Sequence, residues 1–532
     1  MAGSFDTIIV GGGSAGAVLA ARLSEDPARR VCLIEAGTTA RDIFVRAPLL
    51  IAAMVSGRPP LHNWAYRTVP QPGLNGRRGF QPRGRGLGGS SAINAMLYTR
   101  GVPDDYDAWA AMGATGWDWA ACLPWFRRAE RQGRGASAWH GGDGPLNVTD
   151  QSAPRSLARA FVAACAEAGH PVTDDFNAPP FHGAGLYQVT QFFDGPRKGE
   201  RCSAAAAYLH GVMDRPNLRV MTRTRARRIL FAAGRATGVE LAGGRRLAAP
   251  EVILSAGAFG SPQLLMLSGV GPADHLRAHG IAVVADRPEV GENLHDHLDY
   301  TISHRSLRRD ALALNPRGLA RMARAAGRWR RTGTGMFASP TAEGGAFLKS
   351  DPDLPHPDLQ VHFVVGIVDD HMRKLHLADG FSAHVCGLYP VSRGRVRLVS
   401  ADPRAAPAID PAFLDAPQDL AVLMRGARII EDILARPALA PWRGARLYPH
   451  DGSDAALAAD IRARADTIYH PVGTCRMGAD AAAVVDPDLR VQGVEGLRVV
   501  DASVMPRLVG GNTNAPTIML AERAASLISG NQ

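Results

Sequence analysis

His470 lies in IYHPVGTCRM, residues 468–477, and Asn512 and Asn514 lie in GNTNAPTIMLAE, residues 511–522. An imidazole with its ordinary pKa of about 6.5 can take a proton near neutral pH from a group within hydrogen-bond reach. A carboxamide can orient a hydroxyl and stabilise the charge left on its oxygen. Plain structural uses stand beside these: a buried, hydrogen-bonded histidine ahead of Pro471, and turn asparagines after Gly510 and Gly511. At the other end of the chain, Gly11, Gly13 and Gly16 have GxGxxG spacing, and Glu35 follows. Such glycines allow a tight turn and close approach of backbone to a pyrophosphate, and an acid about 20 residues on suits the hydroxyls of an unphosphorylated adenosine ribose. The pattern does not separate FAD from NAD.

Each of these groups needs an element to place it. Asp6 to Val10 is a short apolar run of strand character, Ala17 to Leu23 has helical composition, and Val31 to Ile34 is a second apolar run ending at Glu35. EVILSAGA, residues 251–258, and LRVVDASVMP, residues 497–506, read as further strand-to-turn units. The β-formers of YQVTQFF, residues 187–193, and RVRLVS, residues 395–400, suit an antiparallel sheet. LARAFVAACAEAG, residues 157–169, and DLAVLMRGARIIEDIL, residues 419–434, suit helices that cover it.

A chain of 532 residues, 46% hydrophobic, buries ample core and by length makes more than one domain. No run approaches the roughly 20 apolar residues that span a bilayer, and the opening MAGSFDTIIV lacks the features of a secretory leader. A cytoplasmic protein is expected. The six cysteines are scattered without metal-ligand spacing, which fits reduced thiols, and Cys475 is read as packing. The net charge of +10 comes chiefly from arginine, as in RTRARR (223–228) and RWRR (328–331). Such runs without interleaved aromatics or a nucleic-acid module read as a solvated basic face, and exclude nucleic acid as the partner. If the charge has a partner, an anionic membrane surface suits it, which allows peripheral association at the inner membrane.

Further segments carry a resemblance. PRGRGLGGSSAINAMLYTRG (82–101), SAGAFGSPQLLMLSGVGP (255–272), GENLHDH (291–297), SRGRVRL (392–398) and the two C-terminal segments resemble the glucose-methanol-choline (GMC) oxidoreductases along nearly the whole chain, nearest the bacterial alcohol and choline dehydrogenase branch. The resemblance implies an α/β plus α+β fold. A Rossmann-like FAD-binding domain (1–155, 205–300 and 465–532) would interleave with an antiparallel-sheet substrate-binding domain (156–204 and 301–464). It implies oxidation of primary alcohols, aliphatic or aromatic, to aldehydes, with electrons passed to a quinone or similar acceptor. Choline dehydrogenation and oxygen-using alcohol oxidation are the alternatives, and the same fold also hosts lyase and photodecarboxylase chemistry.

Residue by residue, His470 matches the family's base and Asn512 its hydroxyl anchor, with Asn514 ranked second and expected near the isoalloxazine edge. Gly11, Gly13, Ser14, Ala15 and Gly16 match the pyrophosphate turn and Glu35 the ribose acid. Gly88, Gly89, Asn94, Ala95 and Met96 match the loop that passes the flavin, Asp501 and Ala502 a later flavin-contacting turn, and Ala226 the residue beside adenine. Ile93 stands where some members attach FAD through a histidine, so noncovalent FAD is expected. His295, Asp296 and His297 read as a structural segment with no metal role, having no third conventional ligand nearby. Glu343 either meets a cationic substrate such as choline or serves the fold, and Trp64 and Phe363 either line the cavity or pack in the core.

Overall fold

TIIV, VCLI and EVIL are short aliphatic runs without a polar face, a composition that suits strands covered on both sides. In the computed structural model, which describes residues 4–530, they form the centre of a five-stranded parallel sheet. β1 (Thr7–Val10) lies between β2 (Val31–Ile34) and Glu251–Leu254, and Leu218–Met221 and Leu497–Val499 form the two edges. Thr7 pairs with Val31 on one side and with Glu251 on the other, so strands far apart in sequence are neighbours in space. Between β1 and β2 runs α1 (Ser14–Leu23). A Cβ on Gly16 would lie 1.8 Å from the carbonyl oxygen of Gly11, so only glycine lets α1 pack this tightly on its own turn.

A second sheet is antiparallel and seven-stranded. Its path runs Arg443–Arg446, Leu298–Ser306, Gly380–Gly387, Leu359–Val364, Ala342–Leu348 and Gly183–Leu186, with Asp466–Thr467 also paired to Leu298–Ser306. Side chains alternate along each strand. On Leu359–Val364, the residues Leu359, Val361 and Phe363 join a core with helices Ser156–Glu167 and Pro417–Ala435. Phe363 stacks on Phe161 at 4.4 Å and is therefore core, not cavity wall. Gln360, His362 and Val364 point to the opposite face, where the chemistry lies.

Two strand expectations need correction. Arg395–Arg397 of RVRLVS pairs only with Ala408–Asp410, in a separate two-stranded ribbon. Val189–Thr190 of YQVTQFF pairs with Leu146–Thr149, while the preceding Gly183–Leu186 joins the large sheet. Propensity passes over a Gly-Ala-Gly strand, yet tertiary packing requires it: a Cβ on Gly185 would sit 2.2 Å from the Thr173 carbonyl oxygen.

Candidate active site

A cavity of about 850 Å³ extends from the carboxyl ends of the parallel strands to the inner face of the antiparallel sheet. Gly11 follows β1, Glu35 follows β2, and Asp501 follows Leu497–Val499, the place where open α/β sheets bind ligands. Gly13, Ser14, Ala15, Gly89, Asn94, Ala95, Met96, Ala226, Ala502, Asn512, Asn514 and His470 also line it. Gly16 and Gly88 do not. Gly16 lies beneath Gly11, and Gly88 adopts a left-handed φ of 90° beside Ser203.

The nucleotide end of this cavity fits a dinucleotide. The N-termini of α1 and of the C-terminal helix Asn514–Ser529 both reach it, bringing backbone donors and the positive ends of two helix dipoles. The buried Ser255 hydroxyl at the same end has no protein partner. Glu35 accepts from the amides of Gly12 at 2.9 Å and Gly37 at 2.7 Å, which fixes its carboxylate at the cavity wall. Burial raises its pKa against those amide hydrogen bonds.

Several predicted contacts are partly committed to the fold. Asp501 accepts from Gly257 N–H at 2.8 Å and the Ser261 hydroxyl at 2.6 Å, tying its turn to helix Gly257–Leu267. Asn94 Oδ1 accepts from Arg201 at 2.8 Å and from Met96 N–H at 3.0 Å. Asn514 Oδ1 accepts from the Ser14 hydroxyl at 2.8 Å, so Asn514 turns toward the glycine-rich turn, away from His470.

Asn512 is the asparagine that meets His470, with Nδ2 at 3.0 Å from Nε2. The proton positions follow from the partners. The Leu388 carbonyl can only accept, so His297 Nε2–H donates to it at 2.9 Å. Burial lowers the His297 pKa to about 4, leaving a neutral ring whose bare Nδ1 faces His470 Nδ1 at 2.9 Å. His470 Nδ1–H must donate there, and burial, reinforced by His297, holds the His470 pKa well below its ordinary value. The lone pair of His470 Nε2 therefore faces the cavity and accepts from Asn512 Nδ2–H, a hydrogen bond that a hydroxyl proton would have to displace. Asn512 is oriented in turn: its Oδ1 accepts from Thr99 Oγ1 at 2.9 Å and Gln360 Nε2 at 3.0 Å.

Local backbone aims the imidazole. Tyr469 holds a left-handed φ of 78°, and Gly473, at φ 92°, lies so close to the segment 291–297 that a Cβ would sit 2.4 Å from the Asn293 carbonyl oxygen. Asp296 of that segment accepts from His470 N–H at 2.8 Å.

Family models described as GMC oxidoreductase match residues 5–299 and 390–521. The chain belongs to the GMC oxidoreductases. This GMC oxidoreductase is 46% identical over 537 residues to the alcohol dehydrogenase [acceptor] of Pseudomonas putida, covering 98% of this chain and 95% of the relative. It is 45% identical over 539 residues to mitochondrial choline dehydrogenase of Mus musculus, covering 98% and 89%. Pyridoxine 4-oxidase from Mesorbium loti superposes with a TM-score of 0.89 at 34% identity, covering 99% of this chain and all of that structure.

This GMC oxidoreductase also uses residues that sequence reasoning passed over. GENLHDH is structural, but its Asp296 and His297 are what position His470. Its signal was the histidine itself, invisible without the fold that brings residues 297 and 470 together. Thr99 and Gln360 carried no chemical signature. Glu343 lines no part of the cavity; it accepts from Ser339 Oγ at 2.7 Å and Arg155 N–H at 2.6 Å, at the start of helix Ser156–Glu167. Trp64 does line the cavity, with the guanidiniums of Arg85 and Arg225 at 4.8 and 5.1 Å from its ring centre. In RTRARR, Arg223, Arg227 and Arg228 are exposed, the last two pairing with Glu240, while Arg225 lines the cavity. All six cysteines are free and buried, and burial pushes the Cys475 thiol well above its ordinary pKa.

Proposed function

We infer that this GMC oxidoreductase oxidises uncharged primary alcohols to aldehydes with noncovalent FAD and passes the electrons to a quinone-like acceptor. The observation that carries the reading is the lone pair of His470 Nε2, set 3.0 Å from the Asn512 amide by the chain through His297 to Leu388. Such a pair can accept a hydroxyl proton on one member and hold the oxygen on the other. When bound, FAD supplies the hydride acceptor. The glycine-rich turn and the two helix N-termini would hold its pyrophosphate and Glu35 its ribose, with Ile93 at the position where a histidine attachment would need to be. His470 takes the hydroxyl proton at Nε2, and its Nδ1–H stays on the hydrogen bond to His297. Asn512 Nδ2–H steadies the oxygen as the negative charge grows.

The lining favours an uncharged alcohol over choline. Among the described residues, Glu35 and Asp501 are the acidic side chains on the cavity wall, and both lie at the nucleotide end. Glu343 faces elsewhere. The P. putida relative is named for an acceptor, which supports electron transfer beyond the flavin. Anaerobic mixing with medium-chain, aromatic and quaternary-ammonium alcohols, followed at the flavin absorbance, tests the reading. Bleaching by the first two and not by choline is the expected result; bleaching by choline alone, or by no alcohol, refutes it.

Peripheral attachment to an anionic membrane belongs to the same reading. Helix Pro316–Thr332 carries Arg317, Arg324, Arg328 and Arg331 on one exposed stripe, and among the described residues none of the four makes an ion pair. No described helix is long and apolar enough to cross a membrane. Cosedimentation with anionic but not zwitterionic vesicles at low salt is the expected behaviour.

A further inference from the structure

His362 and His384 are register partners on Leu359–Val364 and Gly380–Gly387, both buried and both lining the cavity. Neither ring nitrogen of His362 has a hydrogen-bond partner, and neither does Nε2 of His384. His384 Nδ1 is already engaged, with Asp299 Oδ2 at 2.7 Å and Thr301 Oγ1 at 3.0 Å. His362 stacks on the Tyr187 ring with a tilt of 24°, their centres 5.7 Å apart. Buried polar groups are nearly always hydrogen-bonded, so orphaned nitrogens on a ligand cavity mark where polar atoms of a ligand belong.

The position of the pair relative to the chemistry is set by the strand. Gln360, which donates to Asn512 Oδ1, is the preceding residue on the same face, so His362 stands about 7 Å further along the sheet. We propose that His362 and His384 bind a second hydroxyl of the substrate, making α,ω-diols and similar hydroxyl-bearing alcohols the preferred substrates of this enzyme. The proposal rests on alcohol oxidation at His470.

The donor and acceptor count supports a hydroxyl. Burial lowers the His362 pKa to about 3, so the ring is neutral and carries one N–H and one lone pair, neither of them met by a protein group. A hydroxyl donates one hydrogen bond and accepts others, so it can bridge His362 and His384 Nε2 whichever nitrogen holds the proton. An alkyl tail or a quaternary ammonium has no hydrogen bond to offer and leaves both rings unmet.

The test measures kcat/KM for flavin reduction by the α,ω-diols from propane to octane against the matching primary alkanols. At the best length the diol should exceed the alkanol about tenfold, the worth of one such hydrogen bond. His362→Leu should bring that ratio to about one, while His362→Gln, which keeps a donor and an acceptor, should retain most of it. A wild-type ratio near one at every length, or a ratio that His362→Leu leaves intact, overturns the proposal while alcohol oxidation stands. Absence of flavin reduction by any alcohol is a different failure, that of the alcohol reading itself, and takes the proposal with it.

Discussion

The glycine-rich turn and the His470 centre share one cavity but are built in opposite ways. The turn works through backbone: β1, three glycines and the first residues of α1 form one continuous stretch from Thr7 to Gly16. The proposed base works through the side chains of Thr99, His297, Gln360, His470 and Asn512 and the Leu388 carbonyl, which span more than 400 residues of sequence. A backbone site tolerates almost no added atom, whereas a side-chain site fails by degrees.

The sharpest way to break the comparison is at Gly16. Gly16→Val places carbon against the Gly11 carbonyl, so purified protein should carry little flavin and be poorly soluble, as the flavin-to-protein absorbance ratio will report. Full flavin occupancy would show that the turn is not packed as described. Next, His470→Ala should retain flavin yet slow its anaerobic reduction by roughly 10²-fold or more, the usual contribution of a positioned base. Near-normal reduction would remove His470 from the chemistry.

Smaller effects separate aiming from reacting. His297→Phe removes the acceptor for His470 Nδ1–H and frees the tautomer, which should slow reduction by about 10-fold, an outer-partner effect weaker than loss of the base. Equal losses in the two variants would mean that His297 itself exchanges the proton. Smallest is the pH response. The folded His470 pKa is lowered, so the neutral base persists as pH falls through 6.5, and the reduction rate should stay level across neutrality and decline only below that value. A decline that begins above 6.5 would place a different group in control.

Legibility in the sequence followed the same division. The β1 and β2 runs fall where their composition marks them, and α1 begins slightly earlier, because its small first-turn residues give no apolar signal. Phe363 and Glu343 were open between cavity and fold because strand alternation and register set the face, and these are fixed only when the sheet assembles. The Gly183–Leu186 strand was missed because its residues are chosen for closeness of packing, against their own propensity.

The sequence by itself determined the family and singled out the glycine-rich turn, His470 and Asn512 as candidates, because each is written in contiguous residues with local consequences. Tertiary structure decided which histidine nitrogen is bare, which asparagine faces it, and that His362 and His384 share the cavity. Those outcomes depend on hydrogen-bond partners brought together across hundreds of residues, and a proton's position is settled only by the groups that surround it.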